Sequence, residues 1–263
     1  TEAFLLPIIS RLILESERWK ARVDNSNSKW WMNKESSYEN IRLDIAEHTP
    51  AMRAMILYPM NALVEDQLVR LRRSLHSSGA KAWLAENRPG HKFYFGRYTG
   101  KSPLPGIKEN ATDSDRNTLR NILSDQHTRH LALKKRMTSP ENTEQLPEGV
   151  EYFLADPLGP EMTLRWDMQD APPDILITNY SMLSIALIRS DEEKMFATTK
   201  AWLESDSRNV FTLVVDELHM YRGTQGTEVA YLLRRLIRKL GLDERPDQLS
   251  IVATSASLND DPK

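Results

Sequence analysis

Two adjacent carboxylates and an imidazole, Asp216, Glu217 and His219, close the apolar run 213–215 in the stretch LVVDELHMYRGTQGTEVAYLLRRL. Neighbouring residues inside a strand point to opposite faces, so both acids can serve one site only where the strand ends and the backbone turns out of the sheet. In an open α/β sheet, ligands bind outside the carboxyl ends of the strands, and the pair falls at such an end. The same two acids also suit a helix start, where the macrodipole favours negative charge. Their spacing alone leaves both readings open.

The elements that would position them are legible as apolar runs, each followed by a turn or helical pattern. AMRAMILY (51–58) precedes NALVEDQLVRLRRSLH, and HKFYFGRY (91–98) leads into a Gly and Pro loop. DILIT (174–178) precedes YSMLSIALI, VFTLVV (210–215) precedes EVAYLLRRLIRKL, and LSIVAT (249–254) closes the series. Five continuous rather than alternating apolar runs predict strands buried on both faces, hence a mostly parallel sheet flanked by helices in one α/β domain.

Two stretches break this rhythm. From about 101 to 173 the chain is polar and proline-punctuated around the helical pattern TLRNILSDQHTRHLALKKRM, and it is expected to be an insertion at the sheet's edge. A smaller insertion of about 24–40 holds Trp30 and Trp31. Such a pair can stack a base, but more often anchors a loop on the core. The cationic residues of RRLIRK (234–239), together with Arg70, Arg72 and Arg73, are expected on solvated helix faces. In RGTQGTE (222–228), the glycines permit backbone conformations closed to other residues, and Thr224 or Thr227 is expected to cap a helix running on from Glu228.

Composition sets limits. The 263 residues carry a formal net charge of -2, so any polyanion must be held by local contacts rather than by an overall basic field. The absence of cysteine excludes disulfides and thiolate metal sites and fits a reducing, cytoplasmic setting. No apolar run approaches the roughly 18 residues that a bilayer-spanning helix needs.

The motifs in series carry a family resemblance. DELH after LVV resembles the Walker B motif of superfamily-two helicases and translocases of the DEAD/DEAH type. TEAFLLPI at the start resembles the continuation of a Walker A motif whose Gly-Lys lies before Thr1, which makes the chain read as a fragment truncated within that motif. YPMNALVEDQL resembles motif Ia, YTG (98–100) a small contact loop, TNYSML motif Ib and ATSASL motif III, in the expected order and each after a predicted strand. The long stretch around DELH is very similar to that of bacterial Mrf-type repair helicases and of the helicase subunit of DISARM phage-defence systems.

The resemblance implies the first RecA-like domain of an ATP-dependent DNA motor with ATP and Mg2+ as cofactors. It implies that Thr1 and Asp216 serve the metal, Glu217 aligns the attacking water, and His219 connects that centre to Ser255 and Ser257. It places Asn61, Thr99, Thr178, Asn179 and Tyr180 along a nucleic-acid backbone, where contacts position a strand without reading its sequence. A second RecA-like domain of the same parent chain would complete the cleft, and a repair or defence subunit could dock on the larger insertion. An RNA helicase and an ATP-independent nucleic-acid scaffold remain compatible with the same residues.

Overall fold

In the computed structural model, residues 3–19, 29–42, 48–104, 106–139 and 146–255 are described. Their strands are β1 (Ala54–Tyr58), β2 (Phe95–Tyr98), β3 (Glu161–Met162), β4 (Ile175–Asn179), β5 (Phe211–Val215) and β6 (Leu249–Ala253). All five pairings are parallel, and the order across the sheet is β3-β2-β4-β1-β5-β6. The α/β fold expected from the continuous apolar runs is therefore what the chain forms. β3 was not anticipated, because two residues cannot display a periodic pattern.

The helices are α1 (Leu5–Ser16), α2 (Asn61–His76), α3 (Ser78–Asn87), α4 (Asp113–Thr138), α5 (Arg165–Asp170), α6 (Tyr180–Ala186), α7 (Glu193–Ser205) and α8 (Gly223–Lys239). They lie on both faces of the sheet, and strand alternation sends successive residues to opposite cores. Ile56 and Tyr58 of β1 pack with Leu5, Ile8 and Leu12 of α1 and Val64, Leu68 and Leu71 of α2. Met55 and Leu57 pack instead with Leu183 of α6, Phe196 of α7 and Leu236 of α8.

α1 runs antiparallel to the strands, and its contacts fix how far along the sheet it reaches. Glu15, near its end, pairs with Arg53 just before β1 at 2.7 Å, and Arg11 Nη1 donates to Thr212 Oγ1 near the start of β5 at 2.7 Å. From Arg11 back to Phe4 the helix climbs about 10 Å, while β5 climbs about 13 Å from Thr212 to Asp216. The first turn of α1 thus lies toward the same end of the sheet as Asp216.

The opposite end is tied by a buried ionic hub. Asp174, before β4, meets Arg42 Nη2 and His48 Nε2 at 2.9 Å each and Arg53 Nη1 at 3.0 Å, and it accepts from Tyr94 N at 2.7 Å. Burial pushes the His48 imidazole down to about 4, while Arg42, His48 and Arg53 hold the Asp174 carboxylate below its ordinary range despite burial. Imidazole at neutral pH is therefore uncharged, and its ring stacks on Trp19 with centroids 3.5 Å apart.

The polar stretches are built in as well. Trp30 and Trp31 are buried against Leu119, Leu123, Leu164 and Trp166, so they anchor a loop and offer no open face to a base. α4 starts on a capping box between Thr112 and Asp115, which the expectation of a helix from Thr118 missed. The expectation for Arg72 is overturned: it is buried and bidentate to Glu161 of β3 at 2.6 and 2.7 Å, because an edge carboxylate under helix α2 requires a partner. Arg70 does sit on a solvated face, paired with Asp66 one turn away.

Candidate active site

The site gathers at the carboxyl ends of β5 and β6. Asp216 is the first residue beyond β5; its backbone N–H still donates to Leu57 of β1, and its carboxylate is buried. Glu217 follows in the left-handed region (φ 53°, ψ 46°), which swings the chain out of the sheet and frees it from strand alternation. This turn is the local solution to two neighbouring acids sharing one site. It is a strained conformation for a non-glycine residue, costing about 1–3 kcal/mol, of the kind that persists where surrounding contacts over-determine it.

Asp216 Oδ1 accepts from Glu217 N at 3.0 Å and from the Thr254 hydroxyl. Thr254 N donates to Val215 O, and Leu218 N to Thr254 O at 2.8 Å, so the end of β6 is laced to the acidic turn. His219 Nδ1 lies 3.1 Å from Glu217 Oε2 and 3.3 Å from Ser255 Oγ. The structure thus brings Asp216, Glu217, His219 and Ser255 together. Thr1 and Ser257 lie outside the described residues.

The buried Tyr221 hydroxyl beside this turn has no hydrogen-bond partner, and the buried Tyr58 hydroxyl faces Asp216. Burial, and then the Asp216 charge, pushes both tyrosine hydroxyls above their ordinary range, so they are neutral donors. Thr254, Tyr58 and Tyr221 were not singled out in the sequence. Thr254 could have been found from register, since Val215 pairs with Ala253 and the next residues on each strand are Asp216 and Thr254.

The donor set is all oxygen, which fits a hard divalent cation. Among the described residues no group of three or more His, Cys, Asp or Glu could hold a metal by itself. That is compatible with Mg2+, which commonly takes one or two carboxylates and completes its octahedron with water and phosphate oxygens.

The expected strand-contact residues sit on the same rim but are spent differently. Thr99 is buried and fixes the loop after β2: its N–H donates to Ser102 Oγ at 3.1 Å, and its carbonyl accepts from Arg165 at 3.0 Å. Thr178 is buried, with its hydroxyl donating to Tyr98 O at 2.7 Å. Asn179 caps α6 by accepting from Met182 N at 2.7 Å. The Thr99 hydroxyl accepts from Lys101 N at 3.3 Å, so it and the Thr178 hydroxyl face protein backbone, whereas Gly100 and Lys101 beside them are exposed. Tyr180 is partly exposed, with its hydroxyl 3.5 Å from Glu228, and Asn61 opens α2.

The RGTQGTE element resolves into the first turn of α8. The helix begins at Gly223, with Arg222 at its N-cap and no side-chain cap, so the expectation that Thr224 or Thr227 caps a helix from Glu228 is overturned. Gly223 is required by its positive φ of 59°, and Gly226 because a Cβ there would lie 2.6 Å from Tyr221 O. Close approach of the helix start to the preceding turn brings the chain straight from the acidic site into α8.

Comparison with known proteins gives the chain its relatives. It is 34% identical to Druantia protein DruE from Escherichia coli (strain UMEA 4076-1) over 288 aligned positions, covering 98% of this chain. It is 34% identical over 86 residues, 33% of its length, to the uncharacterized ATP-dependent helicase MJ1574 from Methanocaldococcus jannaschii. The chain spans 14% of the first relative's length and 11% of the second's. Among solved structures, the DUF1998 helicase MrfA aligns with 79% of this chain and 20% of its own, at 20% identity and a TM-score of 0.37. No family model matches the chain.

Proposed function

We propose that the chain belongs to the superfamily-two helicases and forms the first RecA-like domain of an ATP-dependent DNA helicase or translocase, a reading supported by its similarity to DruE and to an ATP-dependent helicase. The proposal includes a role in DNA repair or phage defence, a second RecA-like domain in the parent chain, and a subunit partner docked on the 101–173 insertion. The observation that carries it is the acidic turn: Asp216 held by Thr254, Glu217 swung out beside it, and His219 bridging to Ser255, at the end of the sheet toward which α1 begins.

When bound, ATP with Mg2+ supplies the phosphoanhydride to be cleaved and neutralises charge on the phosphates. The chain's own residues do the rest. Asp216, already oriented by two donors to Oδ1, holds its carboxylate fixed toward the crevice. Glu217 aligns a water and takes its proton, a role that asks for position more than for unusual basicity. The His219 contacts to Glu217 and Ser255 make the end of β6 sensitive to Glu217, and through it link hydrolysis to grip on a strand. That grip runs along the rim from Asn61 past the Gly100 and Lys101 loop to Tyr180, with Thr99, Thr178 and Asn179 as its supports.

The test uses the parent chain. DNA-stimulated ATP turnover in Glu217→Gln is expected to fall about 100-fold or more, while ATP binding is kept. Unaltered turnover would remove Glu217 from the chemistry, and stimulation by RNA but not DNA would make the enzyme an RNA helicase. The 263 residues alone are expected to turn over little ATP, because a second domain must close the cleft.

A further inference from the structure

A cavity of about 340 Å³ lies far from the acidic site, between the ends of α2 and α4 and the start of α3. Its size is at the lower end of small-molecule sites. One wall comes from the core helices, with His76, Ser78 and Lys81, and the other from the insertion, with His130, Lys134 and the apolar Leu133, Met137 and Leu154. Two buried imidazole nitrogens, His76 Nε2 and His130 Nδ1, have no hydrogen-bond partner.

The charges around it are unequally committed. Glu151 engages the neighbouring Tyr152 hydroxyl, and Asp156 accepts from Leu158 N at 3.0 Å and faces His130 Nε2 at 3.6 Å. Arg72 is consumed by Glu161. Lys81 and Lys134, both exposed at the mouth, form no ion pair among the described residues. A pocket whose acids are satisfied internally, while two ammonium groups and two imidazole nitrogens are not, selects an anion with several acceptor oxygens.

We infer that this cavity binds a small phosphorylated molecule of about mononucleotide size, its phosphate on Lys81 and Lys134 with His76 and His130, and its ring or alkyl part against Leu133, Met137 and Leu154. Such a ligand joins the insertion helix α4 to the core helices α2 and α3. The inference does not rest on the helicase reading, since none of these residues belongs to the acidic site.

Adenosine monophosphate and inorganic phosphate serve as probes, titrated at constant ionic strength in chloride while the imidazole resonances of the purified chain are followed by NMR. The His76 imidazole, pushed down to about 4 chiefly by burial and then by Lys81, should titrate higher when a phosphate dianion binds nearby. The Lys81→Ala/Lys134→Ala variant should bind adenosine monophosphate at least 10-fold more weakly. The proposal is overturned if the two imidazoles do not respond to either probe, or if the response survives the double lysine variant. Both lysines are exposed, so their replacement leaves the fold intact; matching far-UV spectra verify this.

Discussion

Glu217 and Gly226 show how much of the site is decided by backbone conformation rather than side-chain identity. Glu217 must adopt φ 53° for its carboxylate to leave the sheet, and Gly226 must lack a Cβ for α8 to start against Tyr221. Gly226→Ala sets a methyl against a backbone oxygen, which cannot rotate away, so the first turn of α8 must shift. A loss of about 1–3 kcal/mol in unfolding free energy is expected, read from urea denaturation; an unchanged midpoint would mean that the turn is slack. At this scale the sequence was informative about residue types and poor about orientation. DELH marks the acids, but that the Thr99 hydroxyl meets the Lys101 amide and the Thr178 hydroxyl the Tyr98 carbonyl follows from how the chain folds around them, which residue types do not state.

Elements with strong apolar runs were readable because burial on both faces leaves a continuous signature, as in β1 and β4. β3 was not, because its two residues are held by pairing to Phe95 and Gly96 and by the Arg72–Glu161 bridge rather than by any pattern of their own. That bridge gives a sharp expectation. Arg72→Ala leaves Glu161 buried and unpaired, costing about 3–5 kcal/mol, whereas Arg72→Met with Glu161→Gln should recover much of the loss. Equal instability of the single and double variants would show that the ion pair is not what secures the edge strand.

The hub at the amino ends of β1 and β4 makes an expectation about pH. His48 has its folded value lowered from 6.5 to about 4, so the unfolded chain binds the extra proton between those values. The associated stability is present above about 6.5 and is lost as pH falls toward 4, on the order of 3 kcal/mol. His76, also near 4, has the same sign; Asp167, pushed up to about 7 by burial, has the opposite one, since its contribution is lost as pH rises through 7. The difference between wild type and His48→Gln isolates the hub: urea midpoints measured from pH 7 to pH 4 should fall less steeply in the variant. Parallel slopes would show that His48 keeps the same protonation in both states.

For the molecule as a whole, the sheet is unevenly finished. β1, β4 and β5 are buried at every residue, as parallel strands require, but β6 is at the edge and only partly covered along its length, with Ile251 56% exposed. Its run LSIVA reads in sequence like an interior strand, and the mismatch between that composition and its exposure arises from the order of strands, which periodicity does not encode. An apolar edge strand with unpaired backbone groups is a template for another strand. In this chain that edge is expected to pair with a second copy. Ile251→Lys places a charge on the bare strand and should shift the isolated chain toward monomer in sedimentation velocity without altering its far-UV spectrum. If the chain is monomeric before the substitution, or associates equally after it, the β6 edge is not adhesive.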